Sequence, residues 1–439
     1  MGVVEAEALA HETVARLRAA GHQAWLVGGC VRDLLLGIAP KDFDIATDAP
    51  PDRVMRLFPN SGQVGAHFGV VLVRNSEAQV EVATFRSDHE YSDGRRPGAV
   101  HFETEPREDV LRRDFTINGL MMDPATGEVL DYVEGRADLE RRVIRAIGDP
   151  ALRFREDHLR MLRAVRFAAR LGFEIDAATL DAIRQNCAAI QRVSSERVRD
   201  ELVRILTEGG ARRGFELLDA SGLLREILPE VAAMKGVQQP PEYHPEGDVW
   251  VHTLLLLEKL EHPSISLAAA ALLHDVGKPP TFRIADRIRF DGHAEVGARM
   301  AHDILTRLRF SGDATGQVET LVANHMRFKD VARMKESTLK RFLRMPDFDE
   351  HLELHRLDCL SGSGNLDNYY LAQEKLRAIP EEQLRPPRLL GGSDLIAAGY
   401  QPGPRFSEIL AAVEEAQLEG SVTTPEEAMA LVQREFPPS

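Results

Sequence analysis

The hydrophobic period of this chain changes near residue 150, and that change limits the fold more than any other feature. Before it, the apolar stretches are short and β-branched. Residues 24–27, 43–46, 70–73 and 80–85 read as strands. Leu120–Met122 and residues 129–132 flank Asp123, Pro124 and Gly127, as in a hairpin. From Ala151 the pattern is helical: Leu162, Val165 and Ala169 share a face at i, i+3 and i+7. Helical segments run to about Val237, where a Pro-rich junction, QQPPEYHPEGD, interrupts them. A second helical block extends to Ala378, and a further junction, IPEEQLRPPRLLGG, precedes a short helical tail. The expected class is therefore α+β: a small mixed head (1–150), a helical neck (151–237), a helical block (238–378) and a helical tail (379–439).

Several protein classes are disfavoured. Cys30, Cys187 and Cys359 form no CxxC pair, which argues against a disulfide framework or a thiolate zinc site. The N-terminal residues carry acids and lack the basic start and apolar run of a signal peptide. Gly2 follows Met1, but Ala6 is not the Ser or Thr that myristoylation favours. The longest apolar run, 267–273, is far too short to span a bilayer. These features predict a cytoplasmic protein with no membrane partner; none of them specifies an oligomeric state. The net charge of −15 argues by itself against nucleic-acid binding, which is driven by phosphate neutralisation. The arginines are clustered, however: Arg153, Arg155, Arg160, Arg163, Arg166 and Arg170, then Arg192, Arg197, Arg199, Arg204, Arg212 and Arg213. Taken alone, such clusters are more often solvated helix faces.

Three constellations suggest chemistry. In LVGGCVRDLLLGIAPKDFDIAT (26–47), Asp42 and Asp44 lie two apart on a predicted strand, which would place both on one face. Such a pair suits Mg²⁺, a hard cation that favours oxygen ligands. Two ions roughly 3.5–4 Å apart can stabilise an in-line phosphoryl displacement. Glu81, in QVEVATF, is the candidate third carboxylate. The Gly28-Gly29 turn would let backbone approach a triphosphate, and Arg32 could pair with its oxygens. In REDHLRMLRAVRF (155–167), Asp157, Arg160, Arg163 and Arg166 recur every third residue of a predicted helix. They are either an exposed basic face or a base reader. C and A present an exocyclic amine where G and U present a carbonyl, so a carboxylate with an arginine beside it selects C and A. Arg163 and Arg166 would then face the triphosphate. The third constellation is His252, His274-Asp275, His293, His325 and Asp358. A lone histidine on an apolar helix is usually a core residue, but this set suits a Mn, Fe, Ni or Mg centre.

The motifs GGxVRDLLLG, PKDFDIAT and RRDFTINGL (112–120) resemble the polymerase-beta-like head of class II tRNA nucleotidyltransferases and bacterial poly(A) polymerases. That resemblance implies that Asp42 and Asp44 ligate the metal and that Gly29, Arg32 and Arg113 contact the incoming nucleotide. Asn118 would contact ribose or phosphate. Residues 156–167 resemble the family's EDxxRxxRxxRF element. SSERVRDEL (194–202) resembles its ERxxxEL element, whose arginines would hold the base-reading helix or the RNA, although helix capping by Ser194 or Ser195 fits as well. Residues 87–103 are polar and poorly periodic, as expected of a mobile loop. In the family a loop there accompanies A addition. The histidines resemble those of HD phosphohydrolases, implying a core metal site of His252, His274, Asp275 and Asp358. His293 and His325 would allow a second metal, and Lys278 could contact phosphate. Such a centre can activate water for phosphoester cleavage. The tail, LLGGSDLIAAGYQPGPRFSEIL, resembles that of HD-bearing members.

The function the resemblance implies is addition of C, C and A, from CTP and ATP, to a tRNA 3′ end. An A-adding enzyme or poly(A) polymerase is the nearest alternative, and VGAHFGVVLV (64–73) lacks the extra basic residues associated with the latter. An HD phosphohydrolase with an RNA-binding head, or an RNA-binding or chaperone role without catalysis, would be a different class. Expected cofactors are Mg²⁺ in the head and a divalent transition metal or Mg²⁺ in the HD block.

Overall fold

The computed structural model describes residues 3–64, 69–91, 97–242 and 244–437. The chain divides into two compact units. The first runs to Ala233 and takes in Leu260–Ile265 and Ile304–Phe310; the second takes the remainder.

The first unit opens with a helix, Val3–Ala19, followed by the strands β1 (Ala24–Val27), β2 (Asp44–Thr47), β3 (Ser61–Val64), β4 (Val70–Arg74), β5 (Gln79–Thr84), β6 (Arg86–Tyr91), β7 (Pro97–Phe102), β8 (Leu120–Met122) and β9 (Val129–Asp131). Seven of them form one sheet in the order β3-β4-β5-β2-β1-β8-β9. Among the described residues of this sheet, β2 and β5 are the one parallel pair. β5 alternates buried Val80 and Val82 with outward Gln79 and Glu81, the pattern of a half-buried strand. Val27, Ala46, Phe85, Val110 and Met121 form a buried cluster on this sheet. After the sheet come the helices Pro150–Glu156, Arg160–Leu171 and Ser195–Thr207. Met161, Leu162, Ala164, Val165 and Ala168 are fully buried, so the apolar stripe of the Arg160–Leu171 helix faces inward and leaves its arginines on the other side.

Three expectations need correction. β2 begins at Asp44, so Asp42 lies in the bend before the strand and strand alternation does not relate the two carboxylates. Asp157 is not on the base-reading helix: it sits in extended backbone (φ −147°) after Pro150–Glu156. There its Oδ1 accepts from the Leu159 amide at 3.0 Å, a local bond that competes with helix continuation. The presumed loop at 87–103 is instead largely a hairpin of β6 and β7; its residues 92–96 lie outside the described set. Two small ribbons also interrupt the helical regions, β10 (Val143–Ile144) with β11 (Glu174–Ile175), and β12 (Arg283–Ile284) with β13 (Ile288–Arg289).

The second unit is built from helices including Val249–Glu258, Ile265–Leu273, His293–Arg307, Gly312–Asn324 and Phe348–Ser361. Residues 266–273 are all buried, as suits a helix apolar on every side. Among the described residues no helix is long and apolar enough to cross a membrane. In the tail, Leu390, Leu395, Tyr400, Ile409, Val413 and Val432 share a core of their own.

Candidate functional site

A cavity of about 550 Å³ in the first unit gathers nearly every head and neck residue singled out above. Gly28, Gly29, Arg32, Asp42, Asp44, Arg113, Asn118, Asp157, Arg160, Arg163 and Arg166 all line it. Glu81 is not among the lining residues, but it pairs with Asp44 in register across β2 and β5. In-register partners share a face of the sheet, so the two carboxylates sit side by side. Burial pushes the Asp44 carboxyl up to about 7, and Asp42 and Glu81 push the same way against Arg113. Three oxygen donors that repel one another at the rim of this cavity make a donor set suited to a hard divalent cation.

Backbone and ion pairs fix the basic side of the cavity. Gly28 has φ +74°, and a Cβ there would come within 2.9 Å of Arg113 Nη1, so only glycine lets this arginine lie against the turn. Asp109, fully buried, receives Arg113 Nη2 at 2.9 Å and Arg112 Nη2 at 2.7 Å. Arg32 Nη1 donates to Asn118 Oδ1 at 2.7 Å, and Asn118 Nδ2 donates to Asp114 Oδ1 at 3.0 Å. Asp114 Oδ2 in turn takes Arg163 Nε at 2.8 Å. Burial would raise the Asp114 carboxyl, but Arg163, Asn118 and Arg160 hold it down to about 2. Asn118 thus links Arg32 to Asp114 through its side chain at the cavity wall. Arg166 is buried 2.9 Å from Glu201 Oε2. Burial lowers its guanidinium to about 10, with Glu201 opposing. Arg160 bonds Glu156 Oε2 (2.6 Å) and the carbonyls of Arg153 and Arg112. Arg197 Nη2 meets Asp157 Oδ2 at 2.7 Å. Asp114, Glu201 and Arg197 stood inside the motifs quoted above, but only their tertiary partners reveal what they hold.

In the second unit the six histidine and aspartate residues converge. Asp275 Oδ1 lies 3.6 Å from His293 Nε2 and 3.8 Å from His325 Nε2. Asp275 Oδ2 lies 3.2 Å from His274 Nε2. His252 Nε2 is 2.9 Å from Asp358 Oδ1, which is 4.0 Å from His274 Nε2. The helix packing that brings them together requires Gly277, where a Cβ would fall 2.2 Å from the His293 carbonyl oxygen. His274, His293 and His325 each place Nδ1 within 3.0 Å of a backbone carbonyl three residues back, on Ala271, Phe290 and Val322. A carbonyl only accepts, so Nδ1 carries the proton and Nε2 the lone pair. His293 and His325 then turn lone pairs toward each other at 3.3 Å. Burial lowers the His325 imidazole to about 3, so a proton does not relieve that contact at neutral pH. A divalent cation would, and His252-His274-Asp275 and Asp275-His293-His325 both have ligand atoms close enough to hold one. Lys278 is committed elsewhere: buried, it pairs with Asp275 Oδ2 at 2.7 Å and donates to Gln239 Oε1 at 2.6 Å. Gln239 and Glu246, whose Oε1 is 2.6 Å from His252 Nδ1, come from the Pro-rich junction and were missed by sequence reasoning.

An acidic sheet rim beside an arginine-lined cavity, with a separate histidine-aspartate cluster on helices, defines a nucleotidyltransferase head joined to an HD-type unit. Residues 24–145 match the family described as Poly A polymerase head domain. Residues 172–235 match the probable RNA and SrmB-binding site of polymerase A, and 248–361 match the HD domain. The A-adding tRNA nucleotidyltransferase of Deinococcus radiodurans is 37% identical over 94% of this chain and 95% of that one. The chain belongs to the tRNA nucleotidyltransferase and poly(A) polymerase family. The CCA-adding enzyme of Bacillus pumilus is 43% identical over 54% of this chain, and the match spans 60% of that relative's length. The Bacillus stearothermophilus CCA-adding enzyme in complex with CTP superposes with a TM-score of 0.74 at 28% identity, covering 97% of this chain and 96% of that one. The Thermotoga maritima CCA-adding enzyme complexed with tRNA superposes at 0.60 and 20% identity, a likeness of fold alone.

Proposed function

We propose that the first unit adds C, C and A, from CTP and ATP, to the 3′ end of tRNA in the cytoplasm. The observation that carries this reading is that Asp42 and Asp44 line the same cavity as Asp157 and Arg160, the pair whose chemistry suits selection of C and A. The RNA 3′-hydroxyl oxygen bonds to the α-phosphorus, the α–β anhydride bond breaks, and pyrophosphate leaves with the hydroxyl proton released. Arg32, Arg113 and Arg163 neutralise the triphosphate, and the Gly28-Gly29 turn lets the main chain approach it. Asp157 accepts from the exocyclic amine of C or A, and Arg160 donates to the neighbouring ring acceptor. Asp42, Asp44 and Glu81 would hold Mg²⁺, which supplies charge stabilisation to the transferring phosphoryl group.

The domain roles follow: 1–150 catalyses, 151–237 reads the base and holds RNA, 238–378 is a metal-dependent HD phosphohydrolase unit, and 379–439 is a helical tail. In the HD unit, His252, His274, Asp275 and Asp358 would hold one divalent ion and His293 and His325 a second. A restricted reading, addition of A alone, is favoured by one observation: a relative that matches along nearly the whole chain is an A-adding enzyme.

Incorporation of labelled nucleotide into a tRNA transcript tests the catalytic assignment. Asp42→Ala should abolish it while divalent-metal binding by the second unit persists. Full incorporation by that variant would remove the carboxylates from catalysis.

A further inference from the structure

Four histidines converge on the second unit's candidate metal centre, and one of them is oriented differently. The main chain fixes the tautomers of His274, His293 and His325 through carbonyls on their own chain segments. His252 differs from them: its Nδ1 meets the carboxylate of Glu246 at 2.6 Å. We propose that Glu246 is a positioning residue of this centre, holding the proton of His252 on Nδ1 so that Nε2 is offered to a divalent cation beside Asp358. The inference rests on the metal-centre reading of the cluster given above.

The local structure is built to place this carboxylate. Glu246 is six residues before His252, outside the helix that carries it. Asp248 caps that helix through Val251 N (2.8 Å) and also takes the Gly236 amide (2.6 Å). The Val249 amide also bonds the Val237 carbonyl at 3.0 Å, which ties the start of this helix to the end of the preceding segment. The Glu246 side chain is 8% exposed, and its Oε1 also meets His244 Nδ1 at 2.9 Å. One oxygen facing two imidazoles is an acceptor held from both sides. His252 itself is fully buried, so no water competes for its Nδ1. A carboxylate behind a ligating imidazole fixes the ring and raises its basicity, and loss of such a partner lowers metal affinity roughly 10–100-fold. His252 Nε2 is 2.9 Å from Asp358 Oδ1, so both ring nitrogens face carboxylates. Cation binding would displace only the Nε2 proton and leave the Glu246 bond intact.

The test is a Mn²⁺ titration by calorimetry on full-length protein carrying Asp42→Ala and Asp44→Ala, which silences the head site. Glu246→Gln and Glu246→Leu are compared in that background, with thermal melts confirming the fold. Both variants are neutral and close in shape, but only Gln keeps an acceptor oxygen. Glu246→Leu should weaken Mn²⁺ roughly 10–100-fold, with most of the loss recovered in Glu246→Gln. Unchanged affinity in both, or an equal loss in both, would overturn the positioning role. If the protein with Glu246 intact takes up no Mn²⁺, the metal-centre reading itself fails, and the proposal fails with it.

Discussion

Arg197 Nη2 lies 2.7 Å from Asp157 Oδ2, tying the Ser195–Thr207 helix to the residue proposed to read the base. The Leu159 amide holds the other oxygen, so the carboxylate is fixed at both ends although it stands in non-helical backbone. Arg197→Met should therefore free Asp157 without removing it. Charge-assisted hydrogen bonds contribute about 1.5–3 kcal/mol, so kcat/KM for CTP should fall by about 10–100-fold. Single-nucleotide kinetics check this. A loss confined to tRNA affinity would place Arg197 on the RNA instead.

Asp157→Ala removes the acceptor itself. Discrimination of CTP over UTP should collapse, because the amine-carbonyl distinction no longer meets a carboxylate. Competition between labelled CTP and UTP measures it, and undiminished preference would assign selection to other groups.

Asp44 carries a pH signature. Its carboxyl is pushed up to about 7, against an ordinary value of 3.8, by burial and by Asp42 and Glu81. The folded state thus binds a proton that the unfolded chain has lost, so Asp44 costs stability increasingly between about pH 4 and 7. Asp44→Asn should raise Tm without Mg²⁺, with a gain that grows over that window and levels off above it. Magnesium should stabilise the parent protein more than the variant. A pH-independent gain would mean the carboxylate is not protonated.

Gly277→Ala tests the backbone contact beneath the histidine cluster. With the added Cβ 2.2 Å from the His293 carbonyl, the second unit should lose about 1–3 kcal/mol, and its metal affinity should fall as His293 shifts. Chemical denaturation and metal titration read the two effects, and a neutral substitution would show that the helices separate freely.

The sequence made much of this visible where local pattern decides structure. β1, β4, β5 and β8 carry β-branched or large apolar residues at strand period, and all four were legible. β3, SGQV, has no such pattern and owes its pairing to β4. β2 starts at Asp44, two residues after Asp42, yet both carboxylates still line the cavity. Asp157 looked helical because its spacing to Arg160 is three; the Asx-type bond to Leu159 that breaks the helix has no periodic signature. The histidines were legible from their order along the chain. Glu246, Gln239 and Glu201 were not, because their roles exist only through tertiary partners in His252, Lys278 and Arg166.

The most direct measurement uses three tRNA transcripts, ending before CCA, after C and after CC, each incubated with Mg²⁺ and CTP, ATP or both. Ordered addition of C, C and A followed by arrest is expected. Addition of A only to the CC-ending transcript would restrict the activity to A, unlimited A would make the protein a poly(A) polymerase, and no incorporation at all would contradict a catalytic head.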